Sequence, residues 1–383
     1  MSTRRMVILG SFGLAGIIAW RVRLIQVFSF LVAAGIQKSI HPDREPDFEV
    51  LSSEWKSIEP GKMYLPSRSR GMITYHPWYD AFQPSIANRC LAEAAELGAG
   101  FIRIDIRWKD LLPDGRNVNE LAWNWYNCYL AAASEWYGLE PVIVLSNPPG
   151  AVSGFPVDRR LKAWTQYVDA VARRVGRRCH YYQLLNEPNN PLYRIFPATS
   201  TATALLSAAK VIRDYNPEAK TTINLLADLP RWLSELEDLL EHAGEAVDII
   251  GLDFYPGTWT VSSASVTANW NRTLNLLLAK REAELSPLRG RPLAILETGY
   301  STNARWARGE LSQVKYFENL EEIARGLDAR IGKRGFLFIG IHELTDRASQ
   351  EGLDPEAHFG LLRSGSLERK SSFSVVRKIF SQF

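Results

Sequence analysis

"CHYYQLLNEPNN", residues 179–190, begins as an apolar run and ends in Asn186-Glu187-Pro188-Asn189-Asn190. Proline lacks the N–H that a central strand donates, so Pro188 stops the run one residue after Glu187. A surface loop has no need of the apolar run, and a core strand has no place for the acid. A strand that delivers a carboxyl at its C-terminal mouth accounts for both halves.

Seven further short apolar runs surround it: "GMITYH" (71–76), "GFIRIDI" (100–106), "EPVIVLS" (140–146), "KTTINLL" (220–226), "VDIIGLDFY" (247–255), "RPLAILE" (291–297) and "GFLFIGIHE" (335–343). Amphipathic helical patterns such as "DRRLKAWTQYVDAVARRVG" and "RWLSELEDLLEHAG" lie between them. Eight strand–helix alternations across residues 71–383 predict a closed (β/α)₈ TIM barrel. An open doubly wound sheet usually places a Gly-rich phosphate loop after its first strand, and "YHPWYDAF" is not one.

Composition excludes several classes. Lys+Arg 45 against Asp+Glu 42 leaves a formal charge of +3 with no basic block, so nucleic acid is not an expected partner. Cys90, Cys128 and Cys179 form no CxxC pair, and the six His show no HExxH spacing. Neither a disulfide framework nor a metal or other cofactor is expected.

The N-terminus reads differently. "MSTRR" precedes apolar residues 6–20, and "RVR" separates these from a second apolar run at 24–36. Residues 1–36 are expected to be a signal or membrane-anchor segment, giving an extracytoplasmic protein with possible membrane association. Residues 37–70, polar with four prolines, read as a linker, and 71–383 as the barrel domain.

In such barrels the informative residues sit where strands end. The fourth run ends at Asn186-Glu187 and the seventh at Glu297. By strict alternation Glu297 shares a face with Leu293 and Ile295, and Glu187 with Tyr181, Gln183 and Leu185. Two carboxyls at matched mouth positions suit glycosidic bond cleavage, in which one gives a proton and the other stays ionised. In "FIRIDIR" the isoleucines are expected against the helices, leaving Arg103, Asp105 and Arg107 inside, with Arg103 able to keep Glu297 ionised. Tyr255 ends the sixth run on the same face as Gly251 and Asp253. Asn186, His76 and His342 are candidate sugar-hydroxyl partners, and Trp78, Trp108, Trp259 and Trp306 candidate stacking rings.

"LLNEPN", "LAILETGYST", "RIDIRWKDLLP", "VDIIGLDFYP" and "AHFGLL" together resemble the clan A glycoside hydrolases, most of all the family 39 and family 5 type acting on β-linked sugars. The resemblance runs from about Gly71 to the C-terminus. It implies Glu187 as acid/base and Glu297 as nucleophile in a retaining double displacement, with Asn186, Arg103 and Tyr255 supporting the nucleophile or binding substrate. It also implies a carboxyl separation of about 5 to 5.5 Å. The sequence departs from the pattern at Gln183, Leu185 and Asp253, and at the eighth strand, which ends in "GIHELTD" where the clan often has Trp.

The expected function is therefore a retaining β-glycosidase acting on an oligo- or polysaccharide of the cell envelope or exterior. The long loops "NNPLYRIFPATS" and "YPGTWTVSSAS" suggest endo cleavage. A transglycosylase with the same residues, and a barrel that binds polysaccharide without cutting it, are the alternatives.

Overall fold

The computed structural model describes residues 46–258, 265–303, 308–347 and 355–383. The apolar segment 1–36, Trp259 and Trp306 lie outside the described residues.

Eight parallel strands close into one barrel in sequential order: β1 (Gly71–Thr74), β2 (Phe101–Asp105), β3 (Glu140–Leu145), β4 (Tyr181–Leu184), β5 (Lys220–Leu226), β6 (Ile249–Asp253), β7 (Leu293–Glu297) and β8 (Phe336–Ile341). Each lies within one of the eight apolar runs. Barrel strands are buried on both faces and read as continuous hydrophobic stretches, which is why they stand out from the sequence.

The outer helices follow from periodicity. In the helix Val157–Val175, Trp164, Tyr167, Val168, Val171 and Val175 fall on one buried face. Asp158 in its first turn and Arg173 and Arg174 in its last complement the helix dipole.

The stretch read as a linker contributes a helix, α1 (Phe48–Trp55), capped by the Asp47 carboxylate, which accepts from the Glu49 and Val50 amides. Its Phe48, Leu51 and Trp55 are buried. Trp55 meets the rings of Trp125 and Tyr129 edge-on at 5.9 and 6.5 Å, and Phe48 meets Phe82 at 5.1 Å. Burial of three large side chains contributes about 1.5–3 kcal/mol each, so this segment is part of the folded unit. Two turns of helix among prolines gave too short a period to be read in advance.

The lumen is layered. Met72, Val142, Ile249, Ala294, Leu296 and Phe338 form an apolar floor contributed by strands from all around the barrel. Above it lie the buried polar side chains of Thr74, Arg103, Gln183, Asn224 and Asp253. Ile102, Ile104 and Ile106 pack with the outer core, as alternation requires.

Two strands break the expected alternation near the mouth. Leu293 and Ile295 belong to the outer core, whereas Leu296 enters the lumen. The β6–β7 register slips here: Leu252 faces Ile295 but Asp253 faces Glu297, so Leu296 and Glu297 can both be presented inward. Gly251 makes room, because a Cβ there would lie 2.3 Å from Leu296 Cδ1. On the fourth strand Leu185 packs in the outer core instead of sharing a lumen face with Glu187. Leu185 (φ +66°) and Glu187 (φ +41°) are both left-handed, which ends the pleat and turns Asn186 and Glu187 toward the same centre.

Candidate active site

Asn189 and Asn190, the tail of the opening sequence, hold that turn. Asn189 Nδ2 donates to the Leu226 carbonyl (3.1 Å), and its Oδ1 accepts from the Leu226 amide (3.0 Å). The Asn190 amide donates to the Glu187 carbonyl at 2.8 Å, while Asn190 Nδ2 donates to Glu187 Oε2 at 2.7 Å. The Glu187 amide donates to Asn224 Oδ1 (2.9 Å). Two unusual φ angles are thus held from both sides, as strained backbone at a site requires.

Glu297 faces this turn. Arg103 Nη2 lies 2.6 Å from Glu297 Oε1, and the Tyr255 hydroxyl donates to Oε2 at 2.5 Å. Arg103 is almost wholly enclosed, and its remaining hydrogen bonds go to Gln183 Oε1 (2.8 Å), Asn186 Oδ1 (3.1 Å) and Thr74 Oγ1 (3.4 Å). Asn186 Oδ1 also accepts from Gln183 (2.9 Å) and Asn224 (2.8 Å). Three donors on one oxygen fix the amide's orientation and leave its NH₂ as the end available to a ligand.

One carboxylate oxygen from each of Glu187, Asp253 and Glu297 lies within 4.8 Å of the others. The two glutamates therefore converge across the barrel mouth. Their electrostatics diverge. Burial and the Glu297 charge push Glu187 up to about 8, against the Asn190 hydrogen bond. Burial also acts to raise Glu297, but the Arg103 guanidinium and the Tyr255 hydroxyl hold it below the usual glutamate value. One carboxyl keeps its proton near neutrality while the other is ionised.

The opposite wall is a histidine–carboxylate cluster. His76 Nδ1 donates to Glu343 Oε2 at 2.5 Å, and Nε2 lies 3.4 Å from Asp105 Oδ2. Burial opposes its charging, yet Glu343 and Asp105 raise His76 to about 9. His342 Nδ1 lies 3.7 Å from Glu297 Oε2, and burial lowers its pKa, so it stands neutral between Glu297 and Glu343. Ser146 and Asn147 donate to Asp105 Oδ1. Among the described residues, His76/His342/Glu343 and Glu187/Asp253/Glu297 have ligand-type atoms close enough to share a cation. Arg103, Tyr255 and Asn190 already engage the Glu297 and Glu187 carboxylates, and His76 and Glu343 engage each other.

Glu187, Glu297, Asn186, Arg103, Tyr255, His76 and His342 are thus brought together. Trp108 is not. It is fully buried, with its ring stacked on Tyr167 at 5.2 Å and 7°. It starts a short helix, Trp108–Leu111, behind the mouth and belongs to the outer core, which corrects its reading as a sugar platform. Arg107 also leaves the lumen: its guanidinium pairs with Asp110 (2.7 Å) and lies over the Trp78 ring at 4.6 Å. Both lie beyond Asp105, where β2 has ended and alternation no longer holds. Asn190, Asn224 and Asp228, whose carboxylate accepts from the Tyr255 amide at 2.9 Å, were not singled out from the sequence. Their one advance signal was position, at or just beyond strand ends.

No protein-family profile matches the sequence, and no curated protein sequence matches it. Solved structures do. A family 1 β-glucosidase from Thermotoga maritima superposes with a TM-score of 0.59 at 16% identity, covering 79% of this chain and 86% of that one. An exo-β-1,4-mannosidase from an Opitutaceae bacterium gives 0.64 at 14% identity, covering 85% of this chain and 62% of that one. The chain shares their fold. A second β-glucosidase, designated 1317, matches at 0.59 and 15% identity over 79% and 89%. At these identities the likeness is one of architecture, and the chemistry rests on the residues described above.

Proposed function

We propose that this chain is a retaining β-glycosidase with Glu297 as nucleophile and Glu187 as acid/base. The observation that carries the reading is the carboxyl pair, whose oxygens approach within 4.8 Å. Retaining enzymes hold their carboxyls about 5–5.5 Å apart, and inverting enzymes need about 6.5–9.5 Å to admit a water. The divergent protonation of the two glutamates supports the same division of roles, and the named activities of the structural neighbours, β-glucosidase and β-mannosidase, agree with it.

Glu297, ionised and aimed by Arg103 and Tyr255, attacks the anomeric carbon. Glu187 gives its proton to the departing oxygen, then takes one from the water that releases the sugar. The Asn186 NH₂ is placed to hold a hydroxyl of the reacting sugar. The kinship with families 5 and 39, the β-linked polysaccharide substrate and its endo cleavage belong to this proposal, on the strength of the sequence motifs and the long loop that follows Glu187. The extracytoplasmic location rests on the charged and apolar N-terminal segment. Among the described residues no helix is long and apolar enough to cross a membrane.

The test is hydrolysis of β-linked aryl glycosides and polysaccharides by the wild type and by Glu297→Gln. NMR should follow the anomer first released, and sizing the polysaccharide products. Turnover with β-anomer formed first, lost in Glu297→Gln, supports the reading. Background turnover in both proteins leaves only a binding barrel.

A further inference from the structure

Asp253 has no part in the scheme above, yet it is fully buried beside both catalytic candidates. It ends β6 two residues before Tyr255 and pairs in register with Glu297. Asn224 Nδ2 donates to its Oδ2, while its Oδ1 is enclosed and makes no hydrogen bond.

The groups facing the trio can be named from each wall. They are His76 after β1, Arg103 from β2, Asn186, Glu187 and Tyr193 from the β4 mouth and its loop, Asn224 from β5 with Asp228 beyond it, Tyr255 after β6, Glu297 from β7, and His342 and Glu356 after β8. The guanidinium nearest the trio is Arg103, whose hydrogen bonds and ion pair reach Thr74, Gln183, Asn186 and Glu297 but not Asp253. Three carboxyls within 4.8 Å, with one guanidinium committed to one of them, do not all ionise.

We propose that Asp253 is a positioning residue that stays a neutral carboxylic acid throughout the reaction, so that the trio carries one negative charge that moves between Glu297 and Glu187. This rests on the glycosidase reading and deepens it. Before attack the charge is on Glu297. As its oxygen bonds to the anomeric carbon, the glycosidic C–O bond breaks and the Glu187 proton passes to the leaving oxygen. Glu297 is then a neutral ester and Glu187 the anion. Water reverses this: its oxygen bonds to the carbon, its proton goes to Glu187, and the ester bond returns its electron pair to Glu297. The anion count is one at each stage. An ionised Asp253 would oppose both the nucleophile before attack and the base after it. Burial and the charges of Glu297 and Glu187 raise Asp253 well above the usual aspartate value, in the same sense.

Neutron diffraction from wild-type crystals exchanged into D₂O near neutral pH reads the protons directly. The expected result is a deuteron on Asp253 and one on Glu187, with none on Glu297. Bare oxygens on Asp253 would overturn the proposal. In solution, Asp253→Asn exchanges one neutral group for another, so the alkaline limb of kcat/KM should stay at the wild-type position. An acidward displacement of about one pH unit or more would mean that a charge had been removed beside Glu187, and would overturn it equally. Failure of the glycosidase reading looks different: no glycoside turnover by the wild type, whatever protons the diffraction shows.

Discussion

Arg103 Nη2 and Glu297 Oε1 meet at 2.6 Å in a site where Arg103 is 1% and Glu297 7% exposed. In so enclosed a place each charge depends on the other, and removing one partner of a buried pair costs about 3–5 kcal/mol. Arg103→Met should therefore lower the denaturation midpoint by a loss of that order. It should also move the acid limb of kcat/KM upward, because burial then raises Glu297 with the guanidinium's opposition gone. Urea unfolding and the pH–rate profile check the two effects. An unmoved acid limb would separate Arg103 from the ionisation of Glu297.

Glu187 sets the other limb. Its carboxyl lies near 8 in the folded chain against an ordinary glutamate value of 4.5. The proton-donating form is lost as pH rises through that value, so kcat/KM should fall on the alkaline side near pH 8. The same shift has a stability sign. The folded state holds the proton more tightly than the unfolded one, so Glu187 makes stability fall as pH climbs from 4.5 to about 8 and level off above. Glu187→Gln should flatten that part of the Tm-against-pH curve.

Glu187→Ala should slow glycosides with poor leaving groups by about 10²–10⁴-fold while sparing activated aryl glycosides in the bond-breaking step. Equal losses on both substrates would contradict the acid role.

Asn190 gives a finer test. Its Nδ2 donates to Glu187 Oε2, an interaction that favours the ionised carboxyl. Asn190→Ala should push Glu187 higher still and displace the alkaline limb upward by up to about one unit, with the first step, where Glu187 is the acid, slowed most. Pre-steady-state bursts that shrink in Asn190→Ala on glycosides with poor leaving groups are the readout.

Much of this was legible in the sequence, and the reasons are physical. The eight strands were visible because each is buried on both faces and bounded by turn residues. Glu187 and Glu297 stood out as a pair, because one strand-end acid is more often a cap or ion-pair partner but two at matched mouth positions suit a shared chemistry. What escaped lay where the repeat of two fails. Leu296 and Glu297 both face inward through the β6–β7 register slip, and Leu185 and Glu187 bend the fourth strand's exit through left-handed angles. Neither event has a period to read. Trp108 was misplaced for the same reason, lying past the end of β2.

Trp108 supplies its own check. Packed on Tyr167 with no exposed surface, it should behave as core: Trp108→Ala should cost about 3–5 kcal/mol of stability. Trp108→Phe should keep KM close to the wild-type value. A large rise in KM with stability intact would return it to the sugar site.

In the proposed scheme Glu297 forms a covalent bond to the sugar, and that bond can be trapped. A 2-deoxy-2-fluoro β-glycoside with a good leaving group, matched to the sugar the enzyme turns over, should inactivate the wild type with one sugar added per chain. Peptide mass mapping should place the adduct on Glu297. Steady turnover of the parent glycoside with an adduct on another carboxyl, or with inversion at the anomeric carbon, would rule out Glu297 as the nucleophile.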